Sequence, residues 1–117
     1  MARRRSRQAL LVIGLLVVAW QSLVPGEEAL VQTTYDKVGH ALVYAVLGAL
    51  AVFAMSRPRF LPAWVGVVVF GFALEIAQGV SGYRTFEVAD LIADATGAAA
   101  GAGAVVVLAG RRRRRST

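Results

Sequence analysis

The chain has 117 residues, of which 57% are hydrophobic and 17% charged, and its mean hydropathy is +0.61. A soluble domain of this length needs more polar surface, so the composition indicates a membrane protein. The absence of cysteine excludes disulfides, thiolate metal sites and cysteine nucleophiles. The formal net charge is +6, but nine of the 13 basic residues lie in two terminal runs beside apolar segments. That placement is typical of membrane anchoring and argues against nucleic acid as a partner.

The first predicted membrane span covers residues 8–24 and follows a basic tail, residues 1–7, that carries four arginines. A basic start before an apolar run also describes a signal peptide. We favour a retained span, because no small-residue cleavage site follows and Trp20 suits the membrane interface. Pro25 and Gly26 then end the segment.

Three more apolar segments predict membrane helices, over residues 37–55, 62–79 and 88–109, before a second basic tail at 110–117. Pro58, between two arginines, separates the second span from the third. The sequence therefore predicts a single all-α domain, an integral membrane four-helix bundle.

The arginines predict how this bundle lies in the membrane. With four spans both termini fall on one side, which then collects eleven basic residues and no acidic one: Arg3, Arg4, Arg5, Arg7, Arg57, Arg59 and Arg111 to Arg115. Only two basic residues fall on the other side. The positive-inside rule predicts a multi-pass plasma-membrane protein with both termini in the cytoplasm. The abundance of Ala, Gly, Val and Arg suits a bacterial source.

Ionisable residues mark the start of the second span. Asp36, His40 and Tyr44 recur every four positions, so a helix places them in one stripe. A charged group at the centre of a membrane helix costs roughly 2.5–3.5 kcal/mol on insertion scales. The stripe must therefore face protein or water rather than lipid.

The other polar residues of the spans fall at a similar depth. At 1.5 Å per residue they lie about 3–10 Å below the outer surface. Three helices contribute to this layer, so we expect one shared pocket that opens outward and includes Glu75, Gln78, Asp90 and Asp94.

The fourth span joins this pocket to a packing face. At 100° per residue, Asp90, Asp94, Gly97 and Gly101 lie within about 60° of one another. A Gly-x-x-x-Gly pattern lets helix backbones approach closely. Both aspartates should therefore point at neighbouring helices.

The predicted pocket is rich in carboxylates. It contains four carboxylates, from Asp36, Glu75, Asp90 and Asp94. Only three side chains could supply a balancing positive charge: Lys37, Arg84 and His40. Like charges confined at low dielectric cannot all remain ionised without a partner. We expect that one carboxyl group is protonated or that a cation is held there.

These residues resemble the motifs of the VanZ-like family, and the resemblance covers about residues 10–107. It rests on four blocks in order: Asp36-Lys37-x-x-His40-x-x-x-Tyr44, Glu75-x-x-Gln78, Arg84 with Asp90 six positions on, and Gly97 with Gly101. That family is named for an accessory protein associated with resistance to teicoplanin, so the resemblance implies an envelope role and altered glycopeptide susceptibility. The resemblance also implies asparagine at the position of Asp94. The aspartate of this chain therefore adds one negative charge to the site.

Several residues admit both a structural and a functional interpretation. His40 is a general base, a metal ligand or a hydrogen-bonding link between helices. For Tyr44 we favour a pocket wall over a catalytic acid, with its hydroxyl bonded to Glu75 or Asp90. Asp36 and Lys37 either line the pocket or cap and anchor the second span.

Arg84 either clamps an anionic headgroup or pairs with Glu87 or Asp90. The predicted ligand-binding set is Asp36, Lys37, His40, Tyr44, Glu75, Gln78, Arg84, Asp90 and Asp94.

The bilayer and a lipid-linked cell-wall precursor are the predicted partners, and binding or accessory action is favoured over catalysis. An enzyme of this kind would perform acid–base chemistry on a lipid-linked envelope substrate, with His40, Glu75, Asp90 and Asp94 as candidate catalytic residues. No cofactor is predicted. The alternative is a divalent cation on the same four side chains, because nitrogen and carboxylate ligands suit zinc or manganese.

Two other functional classes stay open. One is a small proton-coupled transporter subunit, which would need polar residues in the inner half of the spans. The other is a structural membrane partner that docks through its glycine-rich fourth span.

Overall fold

The computed structural model describes residues 2–23, 36–81 and 88–116, apart from the side chains of Asp36, Lys37, Ser81 and Ser116. These residues form four α-helices: α1 (Ala2–Leu23), α2 (Asp36–Phe53), α3 (Phe60–Ser81) and α4 (Val88–Ser116). The prediction of an all-α four-helix bundle is confirmed.

Three of these helices are long and apolar enough to cross a membrane: Ala2–Leu23, Phe60–Val80 and Val88–Arg115. The apolar part of α2, Val38–Phe53, is shorter. With 18 residues in total, α2 extends about 27 Å, close to the roughly 30 Å thickness of a hydrocarbon core. The fold is an integral membrane bundle.

Both terminal helices extend beyond the predicted spans. α1 begins at Ala2 rather than at residue 8, and α4 continues to Ser116 rather than ending at 109. Arginine is a good helix former, so the basic tails continue the helices instead of ending them. Three arginines in the last turn of α4 also interact favourably with the negative end of its dipole.

Contacts between the helices define their directions. Near the start of α1, the guanidinium carbon of Arg7 lies 4.3 Å from the ring centroid of Phe53, at the end of α2. At the other end of the bundle, Gln78 of α3 donates to the carbonyl oxygen of Ser22 in α1 at 2.8 Å. α1 and α3 therefore run in one direction, opposite to α2.

α4 runs parallel to α2, because residues near the start of one contact residues near the start of the other. The start of α1 and the end of α4 consequently lie at one end of the bundle together with the turn at 54–59. We call this the arginine end, because the eleven arginines of the predicted cytoplasmic side lie there. The opposite end, where α2 and α4 begin, is the site end.

α2 and α4 form the most extensive helix pair. A methyl group added at Gly97 would overlap the carbonyl oxygen of Ala41, and one added at Gly101 would overlap that of Ala45. In the reverse direction, a methyl group at Gly48 would overlap the backbone of Ala98. Because lipid tails are as apolar as the side chains, close van der Waals packing of this kind drives association in membranes.

The core toward the arginine end is apolar. Val52, Ala63 and Ala102 form a buried cluster there, and a second cluster around Leu47 leads toward the site end. α1 packs on α2 and α3 without contributing a buried residue. The three-helix body of α2, α3 and α4 therefore holds the core.

Candidate functional site

The buried polar side chains of the described residues all lie toward the site end. They come from three helices, because α2 and α4 begin at this end and α3 ends there. The group consists of Glu75 and Gln78 on α3 and Asp90 and Asp94 on α4, each with at most 7% of its surface exposed. His40 and Tyr44 of α2 face the same region. The predicted convergence of polar residues from three helices is therefore present.

A contact between His40 and Asp94 joins α2 to α4. The imidazole Nδ1 lies 2.8 Å from Oδ1 of the carboxylate, and the two side chains are 14% and 3% exposed. Asp94 lies three residues before Gly97, whose missing side chain lets α4 approach Ala41. The glycine packing thus brings the two polar groups within hydrogen-bonding distance.

Glu75 completes a three-helix cluster. His40, Glu75 and Asp94 each offer one nitrogen or oxygen atom, and these three atoms lie within 4.8 Å of one another. Two ionised carboxylates at this separation repel by about 3 kcal/mol at an effective dielectric constant of about 20. A positive charge on His40 would offset part of this repulsion, because the ring lies beside Asp94.

Tyr44 forms the apolar floor of the cluster. It is 3% exposed, and its ring lies nearly parallel to that of His40, with centroids 6.4 Å apart and an interplanar angle of 3°. Its role as a pocket wall stays a prediction. The predicted bond of its hydroxyl to Glu75 or Asp90 stays a prediction.

Gly71 of α3 lies against the cluster, although the sequence analysis did not single it out. A β-carbon added at Gly71 would lie 2.9 Å from Cε2 of Tyr44 and 3.1 Å from Oδ2 of Asp94. The absence of a side chain therefore makes room for both groups. The sequence offered one indication of this position: Gly71 lies one helical turn before Glu75, so both residues fall on the same face of α3.

Trp64 makes a second contact that the sequence did not reveal. Its indole Nε1 donates to the carbonyl oxygen of Ala95 at 2.9 Å, beside Asp94 on α4. Indole N–H groups in apolar surroundings usually find such a partner. The bond holds α3 against the segment of α4 that carries the site.

Gln78 and Asp90 lie at the edge of the cluster. Gln78 donates to Ser22, whose carbonyl is one of the last four of α1 and lacks a partner within that helix. Gln78 thus links α1 to α3. Asp90 is buried in the first turn of α4, where the helix dipole favours a negative charge.

Three predicted ligand-binding residues cannot be placed. Arg84 and the side chains of Asp36 and Lys37 lie outside the described part of the chain. Of the four candidate metal ligands, His40, Glu75 and Asp94 form the close group, and Asp90 is not part of it.

The fold and the site together define an integral membrane helical bundle with a buried histidine–carboxylate cluster near one end. Residues 3–109 match the sequence model of the VanZ/LLP1 family, so the chain belongs to that family. Neither the curated proteins nor the solved structures provided a match.

Proposed function

We propose that the cluster of His40, Glu75 and Asp94 binds the polar part of a cell-envelope component from the outer leaflet of a bacterial plasma membrane. The observation that carries this proposal is the meeting of two buried carboxylates and a partly buried histidine, contributed by three helices. Ionisable groups inside a membrane are costly and mark functional sites by default. A purely structural bundle could join α2 and α4 by its glycines alone.

The chemistry of the side chains indicates the kind of ligand. Carboxylates of Glu75, Asp90 and Asp94 accept hydrogen bonds from hydroxyl and ammonium groups. The sugar and peptide portions of a lipid-linked cell-wall precursor carry such donors. At four to six residues, or roughly 6–9 Å, from the helix ends, the cluster lies within reach of a headgroup whose lipid remains in the bilayer. Lys37 and Arg84 would supply a basic rim for its phosphates.

The orientation follows from charge. Eleven arginines lie at the arginine end, and the positive-inside rule assigns that end to the cytoplasm. The site end then faces outward, where cell-wall precursors are used. By family membership we further propose that the protein alters teicoplanin susceptibility by engaging such a precursor.

An acid–base role is the second candidate, and the His40–Asp94 contact favours it. A carboxylate that accepts from Nδ1 holds a neutral imidazole in the tautomer whose Nε2 can take a proton. Glu75 or Asp90 would act as the partner acid on a lipid-linked substrate. Binding is the simpler proposal, because it needs no nucleophile.

The apolar core argues against the transporter alternative. Between the cluster and the arginine end, the buried positions of the described helices are Leu47, Val52, Ala63 and similar apolar residues. A proton path needs polar groups or water at intervals along its length. The structural-partner alternative uses the glycine face of α4, but that face already packs on α2.

The test is a set of single replacements, His40→Ala, Glu75→Gln and Asp90→Asn, scored separately for protein abundance and teicoplanin susceptibility. Thr96→Val is the control, because exposed Thr96 bonds only locally to the carbonyl oxygen of Ile92. Altered susceptibility at normal abundance supports a binding site. Loss of abundance alone, or unchanged susceptibility in all three variants, contradicts it.

A further inference from the structure

A groove runs between α1 and the α2–α3 pair at the arginine end, away from the site described above. It consists of two adjoining cavities of about 480 and 340 Å³, which share Leu11, Ala51 and Met55 as lining residues. Both volumes fall within the range of about 300–1,000 Å³ that is typical of ligand sites.

The two cavities differ in chemistry. The larger one is lined by the exposed side chains of Arg4, Arg57 and Arg59, together with Gln8 and Ser56. The three guanidinium groups come from two separate parts of the chain. Since arginine matches phosphate oxygens by its forked geometry, this mouth suits an anionic headgroup.

The smaller cavity is lined by apolar residues and glycine, among them Leu15, Val67 and Phe70. Gly66 also lines it, and a β-carbon added there would meet no atom within 4 Å. α1 contributes no buried residue, so it borders this space without filling it. In a bilayer, an apolar gap of this kind suits an acyl chain.

The length of the groove matches one leaflet. Arg4 and Leu15 are eleven residues apart on α1. Arg59, the residue just before α3, is likewise eleven residues from Phe70. Eleven residues of helix extend about 16 Å, which is about half of a hydrocarbon core of roughly 30 Å. The charged mouth thus lies at headgroup level and the apolar part at acyl level.

We propose that this groove binds one anionic phospholipid of the leaflet at the arginine end. Its phosphate contacts Arg4, Arg57 and Arg59, and one acyl chain lies along Leu15, Val67 and Phe70. Basic pockets between membrane helices bind anionic headgroups by the same chemistry. The inference is independent of the function proposed for the site end.

The experiment reconstitutes the full chain in nanodiscs of equal parts phosphatidylglycerol and phosphatidylcholine, and counts retained lipids by native mass spectrometry. We expect one retained phosphatidylglycerol. In the double variant Arg57→Gln/Arg59→Gln its retention should fall at least about tenfold. The matched control, Arg111→Gln/Arg115→Gln, removes two exposed arginines from α4 outside the groove and should retain the lipid.

A second pair of variants tests the acyl part without changing charge. Gly66→Leu should fill the apolar cavity and release the lipid, whereas Gly110→Leu, at another glycine with open space around it, should not. Helical circular dichroism and a single size-exclusion peak establish that each variant is folded. Equal retention of the two lipids, or equal loss in both arginine variants, would overturn the proposal. Unchanged retention in Gly66→Leu would also overturn it.

Discussion

Nδ1 of His40 and Oδ1 of Asp94 lie 2.8 Å apart, although 54 residues separate them in the chain. The contact joins the second turns of two parallel helices. It depends on Gly97, three residues beyond Asp94, where the backbones of α2 and α4 touch. The cluster is therefore a product of helix packing as much as of polar chemistry.

The first prediction separates charge from hydrogen bonding at Asp94. Asp94→Asn keeps an oxygen acceptor for His40, so the protein should remain close to wild-type stability. Asp94→Ala leaves the partly buried imidazole without this partner, which should cost about 1 kcal/mol. Thermal unfolding in detergent measures both variants, and equal midpoints would show that the contact contributes no stability.

The second prediction concerns the close approach of α4 to α2. Gly97→Ala places a methyl group against the carbonyl oxygen of Ala41, so the helices must separate. Overpacking of this kind typically costs about 1–3 kcal/mol. Gly103→Ala is the control, because its nearest neighbour, Cε2 of Phe60, lies at an ordinary 3.9 Å. If thermal unfolding shows the same midpoint for both variants, the glycine contact is not what holds the pair together.

The third prediction tests Gly71 as a site residue. Gly71→Ala adds a methyl group 2.9 Å from Tyr44 and 3.1 Å from Asp94, so it should displace these side chains without removing any polar atom. We expect altered teicoplanin susceptibility at near-normal abundance. Gly66→Ala on the same helix, where the space is open, should behave as wild type. Normal susceptibility in Gly71→Ala would remove Gly71 from the site.

The fourth prediction concerns metal. The candidate ligand atoms of His40, Glu75 and Asp94 lie up to 4.8 Å apart. Ligands on a tetrahedral zinc ion lie only about 3.3 Å from one another, as bond lengths of about 2.0–2.1 Å require. To reach this spacing, side chains from three packed helices would have to move closer together, so we expect no stoichiometric zinc by elemental analysis after incubation with zinc and gel filtration. One equivalent in the wild type that is lost in Glu75→Gln would contradict this prediction.

The fifth prediction is the orientation in the membrane, which the absence of cysteine makes simple to measure. Single variants Ser6→Cys at the arginine end and Val80→Cys at the site end both replace exposed residues. In intact cells a membrane-impermeant maleimide should label Val80→Cys but not Ser6→Cys. The reverse labelling pattern would place the cluster on the cytoplasmic side.

The sequence alone determined the helices and the depth of the polar residues. Apolar length, arginine placement and a rise of 1.5 Å per residue predict four helices with Glu75, Asp90 and His40 in one layer. The small-residue stripe on α4 was also recognisable, because its spacing is a local property of one helix. The helices α1 and α4 extend beyond the predicted membrane spans, since arginine continues a helix as readily as it ends a membrane span.

Only the tertiary structure decided which side chains meet. Helix rotation and pairing depend on where two backbones can touch, and that requires both partners, such as Gly97 and Ala41. For the same reason the sequence did not reveal the Trp64 bond to Ala95, the role of Gly71 or the groove beside α1. Periodicity fixes the direction of a side chain relative to its own helix, whereas close packing in three dimensions selects its neighbour.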